Sequence, residues 1–182
     1  MTNSAERFRL EDASIRLDSI PVAGRQLRVV PAAEERRALA DRLGLASIDS
    51  LEVDLRAVTF RGGIRVTGRL TARVTQLSVV SLEPVGQSID EPIDRVFLPG
   101  GEKPYAGPAG AEIFVDLEGD DIPDHFEGNE ADLSDLIVET LALAVDLYPR
   151  APGESLDDLG LKPDIAADHP FAALKALKPK QD

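Results

Sequence analysis

The most regular stretch of the chain runs from Leu51 to Val80, where apolar and polar residues alternate with a period of two, as in strands with one buried face. Leu51, Val53 and Leu55 share one phase, whereas Val58 and Phe60 take the other, and a bulge near Arg56 and Ala57 would absorb the change. After Arg61, Gly62 and Gly63 the alternation resumes with Ile64, Val66, Leu70, Ala72 and Val74. The spacing predicts a hairpin with a three-residue turn that sets Phe60 opposite Ile64, both buried. Past the bulge, Val53 faces Leu70 and Asp54 faces Arg69. The other face of the second strand carries Arg65, Thr67, Arg69, Thr71, Arg73 and Thr75, an arginine ladder.

Phe8 and Leu10, then Ile15 and Leu17, predict an edge strand, and Leu27 to Val30 another. Pro31, which the first turn of a helix tolerates, and Gly44, placed for a left-handed C-terminus, bound a helix over Ala32 to Leu43. A second helix is expected from Ala131 to Leu147, with Asn129 as its cap. Its apolar positions Leu133, Leu136, Ile137, Leu141, Ala144 and Leu147 are widened by Val138, Leu143 and Val145, so it should organise the core. Tyr148, Pro149 and Arg150 end it. Between Ser81 and Gly128 prolines and glycines recur, which predicts short apolar runs at Arg95 to Leu98 and Ile113 to Leu117 but no long element. The pattern reads as α+β: an antiparallel, bulged and barrel-like sheet packed against a long C-terminal helix plus one N-terminal helix. One domain over 1–182 is expected, with a loop-rich acidic middle (86–128) and a weakly structured tail from about 151 to 182, apart from a helical turn at Pro170 to Leu177.

Composition narrows the function class. An apolar content of 43% fills one core, but no apolar run approaches the roughly 20 residues a membrane span needs. The longest, around Leu136 to Val145, is broken by Glu139 and Thr140. Met1 to Arg9 lacks signal-peptide architecture and the chain has no cysteine, so a cytoplasmic location is expected. The net charge of −13 is concentrated: residues 86–158 hold 19 acids against Arg95, Lys103 and Arg150, whereas residues 1–85 hold 13 arginines against 11 acids. An acidic segment repels phosphate backbones and attracts cationic proteins; the plainer reading is a solvated face that maintains solubility.

Candidate chemistry is sparse. Without cysteine there is no thiol chemistry, and His125 and His169 stand in loop-rich sequence at no metal-ligand spacing. Gly62 and Gly63 belong to a hairpin, and Gly100, Gly101, Gly107 and Gly110 lack the strand and helix that flank phosphate loops. Asp116, Glu118, Asp120 and Glu127 fall at positions one, three, five and twelve of a calcium loop, but Asp121 occupies the sixth position, where glycine is required. No cofactor and no structural zinc are expected. The arginines Arg65, Arg69 and Arg73 offer an RNA-contacting face, yet no aromatic residue interleaves with them, and Glu52 and Asp54 are placed to neutralise part of the ladder.

Three segments, taken in order, resemble the YceD family, the large ribosomal RNA subunit accumulation proteins. They are Ser78 to Val85, then Leu133 to Leu147 running on through Tyr148 to Gly153, then His169 to Lys178; the resemblance extends from about Leu51 to Lys178. Many members of that family carry two cysteines three apart where this chain has Ser78 and Ser81, and serine hydroxyls are poor zinc ligands. The resemblance implies a part in ribosome biogenesis, supporting large-subunit rRNA accumulation, with no established catalytic residues. The expected partner is a basic ribosomal protein or assembly factor, in direct or indirect contact with the rRNA. The acidic segment and the helix exit are the expected docking residues: Asp120, Asp121, Asp124, Tyr148 and Arg150, with Phe171 from the third segment. Tyr148 could instead cap the core and Arg150 balance the acids. Two alternatives are direct RNA binding through the arginine ladder and a magnesium-dependent RNA hydrolase using Asp116, Asp120, Asp121 and Asp124.

Overall fold

The computed structural model describes residues 8–100 and 123–154. In chain order it contains β1 (Ser14–Arg16), a short 3-10 turn, β2 (Arg25–Val29), α1 (Ala33–Leu43), β3 (Ser47–Phe60), β4 (Gly63–Leu77), β5 (Pro84–Pro99), β6 (Asp124–Phe126), β7 (Glu130–Asp132) and α2 (Ser134–Ala144). The fold is α+β. The main sheet has the order β2-β3-β4-β5-β6, antiparallel except for the short β5–β6 pair, and it remains open rather than closing into a barrel. β1 and β7 form a separate antiparallel ribbon. Among the described residues no helix is long and apolar enough to cross a membrane.

One face of the sheet is the core. Val29, Leu51, Val53, Leu55 and Ala57 meet Ile64, Val66, Leu70, Ala72 and Val74, and then Ile89, Ile93 and Phe97 of β5, all buried. Leu39 and Ala40 of α1, Leu136, Ile137 and Leu141 of α2, and Leu10, Ala13 and Ile15 of the N-terminal segment belong to the same cluster. The expected pairs Val53–Leu70 and Asp54–Arg69 are present, and α1 ends at Gly44 in the left-handed conformation (φ 67°). At its start Glu35 accepts the Ala32 N–H at 2.7 Å, satisfying one of the donors a helix leaves free.

The hairpin corrects two expectations. The turn has two residues, Arg61 and Gly62, both left-handed (φ 49° and 80°), so Phe60 pairs with Gly63 and Thr59 with Ile64. Gly63 is a strand residue, and glycine is required there because a Cβ would collide with the Phe97 carbonyl of β5. No bulge occurs at Arg56; the irregularity lies between Ile48 and Ser50. The inward phase continues through Ala57, leaving Val58 and Phe60 on the outer face, where Phe60 is half-buried beside Arg61 and Arg65. The guanidinium carbons lie 5.0 and 5.8 Å from its ring centroid, within cation–π range.

Two further corrections concern the second half. β5 is a 16-residue strand where only a short run was expected. Among the described residues β5 has a neighbour on one side only for most of its length, and Pro92 lies in that stretch. α2 is 11 residues long and not the long helix expected. Ala131 lies in β7, paired with Ile15, and the chain leaves the helix at Val145 (φ −70°, ψ 134°). The role of cap expected for Asn129 falls to the Asp132 carboxylate, which accepts the Ser134 N–H at 2.9 Å.

Candidate docking surface

Four loose backbone groups where α2 ends are gathered by the sheet. Gln87 of β5 donates to the Ala144 carbonyl at 2.8 Å and accepts the Asp146 N–H at 3.0 Å, while Gln76 of β4 donates to the Asp146 carbonyl at 2.8 Å. The Val79 N–H donates to the Pro149 carbonyl at 2.9 Å. Residues 76–79 and 146–149 therefore run side by side, held at both ends of the stretch. Pro149 is buried in this contact, but Tyr148 stays in solvent, 69% exposed, rather than capping the core. Arg150 is also exposed; its charge lowers the Glu154 pKa slightly.

A clasp that sequence reasoning missed closes the arrangement. Ser78 is fully buried, and its Oγ donates to Glu154 at 2.5 Å while accepting the N–H groups of Val80 at 3.1 Å and Ser81 at 3.2 Å. The same carboxylate accepts the Ala151 N–H at 2.9 Å. Hydrogen bonds from Ser78 first, then Ser81, hold the Glu154 carboxyl below its ordinary range. The clasp bends 78–83 into a tight loop in which Leu82 is left-handed (φ 63°), unusual for a leucine, with its side chain 71% exposed. Leu77 at the end of β4, Val79 and Leu82 of this loop, and Leu147 and Tyr148 of the helix exit are exposed apolar residues on two segments joined by the Val79–Pro149 bond, and together make a candidate patch. Exposed Glu83 and Asp146 adjoin it in sequence.

The solvent face of α2 continues from this patch. Leu143, the next-to-last residue of α2, is exposed, then come Glu139 and Asp135 toward the N-terminus. There Asp124 of β6, also exposed, feels both carboxylates; partial burial raises its pKa, against the nearby charge of Arg95, which itself lies 3.7 Å from Glu139. Asp120, Asp121 and Phe171 lie outside the described residues, as do His169, Asp116 and Glu118. His125 is exposed on β6, opposite Leu98.

On the far face of the sheet the arginine ladder is divided. Arg65 makes two hydrogen bonds to Asp94 of β5, at 2.9 and 2.7 Å, and these hold the Asp94 carboxyl below its ordinary range. Arg69 donates to Asp90 at 2.5 Å. Both carboxylates sit two positions beyond the residue directly opposite; for Arg73, opposite Ser88, that position is Gly86. The acids expected to neutralise the ladder, Glu52 and Asp54, lie instead beside Arg28 of β2. An aromatic residue does adjoin the arginines, Phe60, which the misplaced phase had assigned to the core.

A family model described as large ribosomal RNA subunit accumulation protein YceD matches residues 66–178, more than half of the chain. The chain belongs to the YceD family. The family carries a role in large ribosomal subunit RNA accumulation, and its description names no catalytic activity. The YceD match begins within β4, later than the Leu51 expected from the pattern, so it leaves out β2, α1 and β3 but includes β4, β5, the 78–83 loop, α2 and the clasp. The match covers the buried Ser78 of the clasp and Ser81, the two positions at which the sequence resemblance led cysteines to be expected. No curated protein and no solved structure matched the chain significantly.

Proposed function

We propose that this protein supports large-subunit rRNA accumulation as a non-enzymatic docking factor, binding a basic ribosomal protein or assembly partner along α2 and its exit. The observation that carries the reading is the apolar patch of Leu82, Leu147 and Tyr148, where two family-like segments meet in space. Exposed leucine and tyrosine side chains supply anchors, and the acids Asp146, Glu139, Asp135 and Asp124 supply a field for a cationic partner. Arg150 beside Tyr148 offers directed hydrogen bonds at the rim. Direct RNA binding through the ladder has less support, because Arg65 and Arg69 already carry carboxylates.

The test is affinity capture of the tagged chain from its own cells, with nuclease present, beside large-subunit rRNA levels. A basic ribosomal protein should be retained by the wild type. Replacing an interface anchor costs about 2 kcal/mol, or about 30-fold in Kd, so Tyr148→Ala should release that protein and lower rRNA. Retention and rRNA levels unchanged in a folded Tyr148→Ala, Leu147→Asp double variant would overturn the proposal. Loss of every partner on nuclease treatment would favour RNA contact instead.

A further inference from the structure

We infer that the 78–83 loop recognises arginine: it takes a partner segment in which a guanidinium stands beside an apolar side chain. The inference rests on the functional reading above and names the chemistry of that surface's occupant. Its first support is where the loop directs its hydrogen bonds. The N–H groups of Val79 to Glu83 all donate within the fold, to the Pro149 carbonyl, twice to Ser78 Oγ, to the Ser78 carbonyl at 3.0 Å and to Ser81 Oγ at 3.2 Å. The carbonyls of Val79, Val80, Ser81 and Leu82 accept no hydrogen bond among the described residues. Backbone acceptors left over in an exposed turn face water or a partner, so the loop shows acceptors and no backbone donor.

The second support is the strain at Leu82. A left-handed backbone suits glycine or asparagine and not leucine, and this leucine side chain is left in solvent, where it adds nothing to the core. Strain of that kind is expected where a side chain is held out for contact. Charge supplies the third: Glu83 and Asp146 are exposed, Glu154 is tied to Ser78, and Arg150 is the one cation among residues 76–84 and 145–154. A nucleic acid backbone, which brings negative charge, finds no backbone donor on this loop. A lysine ammonium satisfies the charge, but a guanidinium is planar and presents five N–H donors in a fixed fork, so it can bond neighbouring carbonyls at once while its face lies on an aromatic ring. Tyr148, exposed one residue before the Val79–Pro149 bond, supplies such a ring. Leu82 and Leu147 supply the apolar contact.

The probe is a short blocked peptide alternating leucine and arginine, titrated into the isotope-labelled full chain and followed by amide NMR, beside its leucine–lysine counterpart of equal charge. The arginine peptide should shift and saturate the Val79 to Glu83 amides. The lysine peptide should bind about tenfold more weakly, the contribution of one further charge-assisted hydrogen bond. Leu82→Gly relaxes the left-handed position while deleting the side chain, so it should melt no lower than the wild type and bind the arginine peptide about tenfold more weakly. Equal affinity of the two peptides would overturn the inference, since charge alone then explains the binding. So would shifts that avoid the loop, or unchanged affinity in Leu82→Gly. A lower melting temperature in Leu82→Gly would make the leucine a packing residue and overturn it as well. Arginine selectivity on the loop with no basic protein captured from cells defeats the functional reading alone, whereas Tyr148-dependent capture without arginine selectivity defeats this inference alone.

Discussion

Replacing Ser78 by alanine isolates the clasp. The hydroxyl is buried and serves three groups, so its loss strands two backbone N–H donors and removes the side-chain donor 2.5 Å from Glu154. The two donors do not count equally: Ser81 is exposed and its N–H can turn to water, whereas Val80 is half-buried. The cost is therefore that of one unsatisfied buried group, about 1–3 kcal/mol, and not twice that. Equilibrium urea unfolding should report about 2 kcal/mol of lost stability, with a fall in Tm of about 4–8 °C for a chain of this size. Because the clasp holds the 78–83 loop to the helix exit, exchange protection should fall first at the Val79 N–H, bonded to Pro149, and at the Ser78 N–H, bonded to Glu83. The core strands β3 and β4 should keep theirs. Stability within about 0.5 kcal/mol of wild type, the usual range of a neutral surface change, would refute the reasoning.

The pH dependence follows from the same carboxylate. Glu154 and Asp94 have folded pKa values below the ordinary range, so their contributions are present at neutral pH and lost as pH falls through the folded values; Glu154→Gln should flatten the acid limb of the stability profile, and an unchanged limb would exclude the clasp as a contributor. Asp124 runs the other way, since its raised pKa disfavours the charged form in the folded state; Asp124→Asn should leave stability equal or higher at pH 7 in the same urea measurement. In the hairpin, Gly63→Ala should unfold the chain or displace β5, whereas Gly62→Asn, with open space around it and an asparagine-tolerant turn conformation, should stay within about 1 kcal/mol, both read from thermal melts.

What the sequence by itself determined was local. The inward phase of β4 from Ile64 to Val74, the pairing of Val53 with Leu70, the helix closed by Gly44 and the three family-like segments are all written in spacings of a few residues. The phase of β3 was misread because alternation counts apolar side chains and not where they point. Ala57 is small yet buried against the sheet's inner face, while Phe60 is large yet lies outside, where guanidinium groups cover its ring. Similarly β5 hides its inward residues Ile89, Ile93 and Phe97 among prolines and acids, and it is the long pairing with β4 that makes a strand of them. Tertiary structure alone decided the contacts at the helix exit. Gln76 meets Asp146, Val79 meets Pro149 and Ser78 meets Glu154 across about 70 residues of chain. No spacing rule reaches that far: hydrogen bonds between distant segments form because the core has already fixed where each strand and helix ends, and those ends then satisfy one another.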